Sequence, residues 1–321
     1  MAYTGAGQII EAWDYNRLTW GGNTINTYTS TPSNFAYVFG QGNGLFGYGQ
    51  DVSAIIPVSA GGTVTAAQWS TFVQRLNLCL GHQSGAGGQL ASGSNIGITS
   101  GATIAYFANV ATAITTVNTN AAAYSAQGTT TTGTNFDDAV SRSDALSDQV
   151  YGQRTVTFAS ANAARYFFNA GGQLNYVVST PTAAGTGRNA NFVGLITGLG
   201  GWGQLNTTST GRTGSGQTLN TNNTTFGYRN NVINSATTVV GITSTASSYT
   251  SDTAAIQVYT TSSDTTNGSN GLNVVFRCLY NLVDKTWDDT INVTHRTRVD
   301  IVFPETTYLS GVGSWGTPSV T

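Results

Sequence analysis

The chain has 321 residues, of which 8% are charged, and its 12 basic and 14 acidic residues leave a net charge of -2. Soluble globular proteins carry about 25% charged residues, so this surface is poor in ions, with no basic excess to displace counterions from nucleic acid or to hold an anionic membrane. Disorder is excluded by the 39% hydrophobic and 11% aromatic content and the 5 prolines, because disordered chains are poor in aromatics and rich in charge or proline.

An ordered chain that keeps aromatics and threonine but avoids charge reads as β-rich. It also reads as suited to lie against other protein, since charge is depleted at interface cores. The start, Met1-Ala2-Tyr3-Thr4-Gly5, lacks a basic region and a long apolar run, so no targeting segment is expected. No stretch approaches the ~18 apolar residues of a membrane span.

Along the chain, Ile10 to Leu18 predicts a short helix. Thr65 to Leu80 predicts a longer one, with Thr65 as cap, Trp69, Phe72, Val73, Leu76 and Leu80 at helical spacing, and Gly81 as its stop. Ile104, Phe107, Ala108, Ala111, Ile114 and Val117 form a second stripe. Asn135 to Val150 reads as a third helix, with Asp137 and Asp138 in the first turn where the dipole favours them. The Thr- and Gly-rich run from Gly128 to Thr134 reads as a linker or as a loop resting on a partner.

After Arg154 the pattern changes. Thr155 to Phe158 predicts a strand. Ser160 caps a helix to about Asn169 that Gly171-Gly172 ends. Leu174 to Ser179 is a strand, and Asn191 to Leu199 a short helix. Val274, Phe276, Cys278, Tyr280 and Leu282 alternate in one strand, and Ile291, Val293, Val299, Ile301 and Phe303 in another. The polar segment Asp284 to Asp289 between them reads as a hairpin turn. The expected fold class is α+β: a helical, loop-rich N-terminal domain over residues 1–152, then a β-rich, sandwich-like domain over 153–321 with two short helices.

Catalytic and cofactor motifs do not assemble. Gly42-Asn43-Gly44-Leu45-Phe46-Gly47 matches the dinucleotide fingerprint in letters, but Tyr48-Gly49-Gln50 follows where a helix is needed. The only lysine, Lys285, follows Asp284, which excludes a phosphate-binding P-loop. His82 reads as a histidine near a helix end, bonding the last carbonyls, and His295 as a satisfied histidine on an apolar strand face. With Cys79 and Cys278 these give no metal-ligand spacing, and the two cysteines read as buried reduced thiols, with a disulfide between them as the alternative. The pairs Asp137-Asp138 and Asp288-Asp289 are adjacent in sequence, unlike carboxylates that flank a scissile bond. Arg296, Arg298 and Asp300 form a polar stripe, solvated or set against a partner, and Trp202, Trp287 and Trp315 could stack on sugars, lie in the core or anchor an interface. No catalytic, cofactor-binding or metal-binding residue is therefore assigned.

Three segments carry a family resemblance. They are Phe39 to Gln50 with the helix ending Leu80-Gly81-His82-Gln83-Ser84-Gly85, then Val156 to Leu174 with its Arg165-Tyr166-Phe167-Phe168-Asn169-Ala170-Gly171-Gly172-Gln173 core, and then Thr306-Thr307-Tyr308-Leu309 with Ser314 to Thr321. In this order the chain resembles virion structural proteins of tailed bacteriophages, including contractile-tailed cyanophages. Residues 206–269 do not share in the likeness. The resemblance implies a non-enzymatic part of the neck or tail (collar, fibre or tail-attached), made in the host cytoplasm, placed in the virion and partnered by other virion proteins and by copies of itself. The Gly-Gln-rich loop is then a candidate docking element, with Phe46, Tyr48, Gln50 and Trp315 as interface residues. The alternative for that loop is intramolecular packing on the Trp69 helix. A second functional reading is a receptor-binding fibre whose C-terminal half takes a host surface glycan.

Overall fold

The structure is a computed structural model and describes residues 10–21, 34–90, 107–142, 146–200, 203–207, 210–211, 216–230, 234–261, 272–283, 290–311 and 314–321. Its helices are α1 (Ala12–Trp20), α2 (Phe35–Phe39), α3 (Ala66–Ser84), α4 (Phe107–Thr119), α5 (Ala161–Asn169) and α6 (Gly187–Leu199). Its strands are β1 (Gln127–Thr131), β2 (Phe136–Arg142), β3 (Leu146–Thr157), β4 (Gln173–Ser179), β5 (Gln204–Leu205), β6 (Thr210–Gly211), β7 (Thr218–Asn222), β8 (Thr237–Thr243), β9 (Thr253–Thr260), β10 (Asn273–Leu282), β11 (Ile291–Pro304) and β12 (Ser319–Val320). The class is α+β, with helices mainly in the N-terminal half and antiparallel strands in the C-terminal half.

Helix α3 begins on a capping box: Gln68 N donates to Thr65 Oγ1 at 3.2 Å, and Thr65 N donates to Gln68 Oε1 at 2.9 Å. Two N–H groups that the first turn would leave bare are thereby satisfied. Trp69, Phe72, Val73, Leu76 and Leu80 are buried along it, as their spacing predicts. The helix does not stop at Gly81 but runs on to Ser84. Gly81 is a packing position, where a Cβ would lie 2.6 Å from the Tyr308 ring. On α4, Val110, Ile114 and Val117 are buried, while Ile104 lies outside the described residues. Ser160 caps α5 by accepting from Ala163 N at 3.0 Å.

The predicted helix over 135–150 is overturned. Residues 136–142 are β2, paired in unbroken antiparallel register with β11 from Arg142↔Ile291 to Phe136↔Thr297. This ladder buries Val140 and gives β11 a neighbour along its first half. Asp137 and Asp138 thus do strand chemistry, not helix-start chemistry. Asp137 is bonded by Arg296 from across the ladder at 2.6 and 2.8 Å, and Asp138 by Arg154 at 3.2 Å. The expected linker over Gly128–Thr134 is also corrected, because β1 pairs with β11 and Gly133 N donates to Asp300 Oδ1 at 2.9 Å.

Among the described residues the strands form two sheets of six. One runs β1-β11-β4-β5-β6, with β2 also on β11; the other runs β12-β3-β10-β9-β8-β7. The expected hairpin between β10 and β11 is therefore a crossover between sheets, and residues 284–289 themselves lie outside the described residues. The physical reason is that the two apolar faces bury each other. Tyr280 of β10 meets His295 of β11 at 2.8 Å, and the Tyr176 ring of β4 stacks on Phe276 at 5.3 Å. A single buried cluster runs from Ile10 through α3 and α5 into both sheets and on to Trp315. The expected boundary at residue 152 falls inside β3, in the middle of that shared core.

Candidate functional site

The Gly-rich loop closes on itself. Tyr48 N donates to Val38 O, Gly49 N to Gly40 O and Gln50 N to Phe39 O, all within 3.0 Å, so residues 40–50 leave α2 and return beside it. Gly42, Gly44, Gly47 and Gly49 all take positive φ. At Gly49 the need is clearest: its φ is +67°, and a Cβ would sit 2.3 Å from the Tyr166 ring.

Helix α5 grips the loop through its backbone. Arg165 lies wholly inside the protein, and its Nη1 donates to Phe46 O at 2.6 Å and its Nη2 to Gln41 O at 2.5 Å. One turn on, Asn169 Nδ2 lies 3.1–3.2 Å from the carbonyl oxygens of Gly44, Phe46 and Gly47. The guanidinium also lies over the Tyr166 ring, 4.7 Å from its centre. Burial lowers the Arg165 pKa from its ordinary value, against the pull of Tyr166, Tyr228 and Tyr37. The carbonyl oxygens supply the negative partial charge that such a buried cation requires.

The chain beyond β11 holds the other side of the loop. Gln50 exchanges bonds with Ser310, Nε2 to O at 2.9 Å and N to Oε1 at 2.8 Å, and Ser314 Oγ donates to Gly49 O at 2.7 Å. Beneath it, Gln83 Nε2 donates to Tyr48 Oη at 2.9 Å, and the Tyr48 ring stands edge-on to His82. His82 Nδ1 lies 3.1 Å from Glu305 Oε1, so the side chain bonds a distant carboxylate and not the last helix carbonyls. Burial raises the Glu305 carboxyl, but the bonds from His82 and Thr307 outweigh it and hold the group below its ordinary value.

These contacts decide the expected interface residues. Tyr48 is fully buried and Trp315 is 2% exposed, so neither side chain presents a surface to a neighbour. Gln50 is committed to Ser310 and Ser314, and Phe46 packs half-buried against Tyr37 with ring centres 5.6 Å apart. The loop is packed within the chain on α3 and α5, and its exposed tip carries Gln41, Asn43 and Leu45. Trp202 and Trp287 lie outside the described residues.

No family model, curated protein or solved structure matches the chain.

A second polar cluster lies between the sheets. Tyr280 Oη bonds His295 Nε2, and Tyr176 Oη donates to Gly152 O and lies 3.4 Å from Cys278 Sγ. Gly152 has φ +59°, and a Cβ there would meet the His295 ring at 2.5 Å. Burial, with Arg154 nearby, pushes His295 down to about 4, and burial pushes Cys278 up to about 12 despite the bonds from Tyr176 and Tyr280. At neutral pH the cluster holds a neutral imidazole and a neutral thiol, and the thiolate is the reactive form of cysteine. Among the described residues no group of three or more His, Cys, Asp or Glu could hold a metal ion, and no helix is long and apolar enough to cross a membrane.

Arg165, Asn169, Gln83 and Glu305 were not singled out by the sequence reading. One signal was available: Arg165 and Asn169 stand four apart on a helix whose other inward positions are alanine and phenylalanine. A cation on a buried stripe needs an acceptor.

Proposed function

We propose that the protein is a non-enzymatic structural component of a tailed bacteriophage virion, in the neck or tail, working through protein–protein assembly. The observation that carries this reading is the meeting of the three resemblance segments. Phe39 to Gln50, the end of α3, α5 and residues 306–309 and 314–321 are far apart in sequence, yet they close into one joint through Arg165 and Asn169 on the loop, Ser314 on Gln50 and Gly49, and Tyr308 against Gly81. What supports the reading is that the segments carrying the resemblance pack together inside the fold. The low charge and the exposed threonine-rich strands suit a part that lies against other protein.

The test is immunogold labelling of intact tailed particles with an antibody raised against the purified chain. Gold at the neck or tail supports the proposal. Particles whose protein inventory lacks the chain overturn it, and gold confined to the capsid overturns its placement.

A further inference from the structure

We propose that the edge strand β2 is an assembly surface that pairs with β2 of a second copy of this chain, about a two-fold axis through Val140. The inference deepens the assembly reading and rests on it for its biological setting, but it concerns the purified chain alone.

Among the described residues no strand pairs with the outer side of β2, which pairs only with β11, and on the facing sheet β3 has β10 on one side while β12 covers only Val156 and Thr157. Proteins that remain monomeric usually blunt such edges with lysine, proline or a bulge. Here β2 contains neither lysine nor proline and its register with β11 is unbroken; of its three charged residues Asp137 is held by Arg296 across the ladder, which leaves Asp138 and Arg142 to meet an incoming strand, and Ala139 and Ser141 point outward exposed. Beside it Val150 of β3 is an exposed apolar side chain. The edge is also held in place: Asp138 Oδ2 accepts from Gly152 N at 3.1 Å and from Arg154 at 3.2 Å, which ties β2 to β3.

Charge selects the occupant. A two-fold axis normal to the sheet pairs residues on the same face in antiparallel order. Centred on Val140, it sets Asp138 opposite Arg142 of the second copy, twice, and Ala139 opposite Ser141. Arg142 is exposed and has no carboxylate partner among the described residues. The Asp138 side chain is 38% exposed, and its Oδ1 accepts no bond among the described residues. A second copy therefore brings Arg142 to the carboxylate oxygen of Asp138 that Arg154 and Gly152 leave open, and opposite charges directly across a ladder are favourable. The ligand of this edge is a β-strand, added by main-chain bonds.

The experiment is light-scattering mass of the full chain at about 100 μM, with two variants. Wild type is expected at twice the chain mass. Arg142→Asp places like charges opposite each other and is expected to weaken the dimer at least tenfold with an unchanged melting temperature, since the side chain is exposed. The double variant Ala139→Cys/Ser141→Cys is expected to form an interchain disulfide on oxidation, while the native cysteines are buried and do not compete. A monomeric wild type that gives no cross-link overturns the proposal, as does a dimer that ignores both variants. A chain that is monomeric alone yet binds a different virion protein through this edge overturns the second-copy assignment. Particle labelling can fail while this dimer forms, and the dimer can fail while labelling succeeds, so the two readings fall separately.

Discussion

Arg165 and Phe46 stand 119 positions apart in sequence, yet the buried guanidinium donates to the Phe46 carbonyl oxygen at 2.6 Å while its other arm reaches Gln41. A loop whose base is closed by its own backbone bonds is thereby also tied at its middle to a distant helix.

Loss of that grip is measurable. Bonds from charged donors are worth about 1.5–3 kcal/mol each, and removal of a buried cation gives back part of this as relieved desolvation. Arg165→Met is expected to destabilise the protein by about 3 kcal/mol, and Arg165→Lys by about half as much, because an ammonium keeps the charge but cannot serve two carbonyls as a rigid fork. Urea unfolding gives the energies. Amide exchange at Tyr48 and Gly49, whose N–H groups close the base of the loop, should accelerate in both variants. A wild-type urea midpoint for Arg165→Met would show that the contact holds nothing.

Two glycines with similar backbones separate steric need from strain. Gly49 and Gly61 have φ of +67° and +78°, but a Cβ at Gly49 runs into Tyr166 while one at Gly61 meets nothing within 4 Å. Gly61→Ala should cost only the left-handed backbone penalty, about 1 kcal/mol. Gly49→Ala should cost that and a further ~1–3 kcal/mol for displacing a packed ring. Equal melting temperatures for the two variants would remove the case for close packing of the loop on α5.

Acid should act through His295 before it acts through carboxylates. Burial holds the folded imidazole at about 4, against an ordinary value of 6.5. The unfolded chain therefore binds a proton that the folded chain refuses between these values. This contribution is fully present above pH 6.5 and is lost as pH falls towards 4. The loss amounts to roughly 3 kcal/mol at about 1.4 kcal/mol per pH unit. Glu305, whose folded carboxyl lies below its ordinary value, loses its contribution only at lower pH. His295→Gln should flatten the stability profile between pH 6.5 and 4 while lowering stability at pH 7. An unchanged slope in that variant would assign the acid sensitivity to another group.

What was legible in the sequence was local. Helix α3 declares itself through Thr65 and Gln68, three apart, and through five apolar residues at helical spacing. Strands β10 and β11 declare themselves by period-two runs long enough that chance does not produce them. What was hidden depended on distant partners. Phe136 and Val140 are four apart, as on a helix, but β11 makes them a strand, and no residue within 135–150 encodes β11. The short segment after β10 has the length of a hairpin, and whether the chain turns back beside β10 or crosses to the facing sheet is settled by Tyr280 and His295 packing together. The same holds for the loop: Phe46, Tyr48 and Gln50 have the composition of an exposed anchor, and only Arg165, Gln83 and Ser310 turn them inward.

The two cysteines give a last check on the shared core. Cys79 lies on α3 and Cys278 on β10, both fully buried and free. Burial raises both thiols, Cys278 to about 12, so at pH 8 neither offers thiolate to a reagent. An aromatic disulfide reagent is expected to label neither cysteine in the native protein and both after unfolding in guanidinium. Because one thiol sits among the helices and the other between the sheets, the order in which they become reactive along a denaturant series reports whether the two halves open together. One cluster of buried side chains joins them across the middle of β3, so the two labelling curves should coincide. Reaction of Cys79 at a clearly lower denaturant concentration than Cys278 would mean that the helical half opens alone and that β3 does not transmit the core.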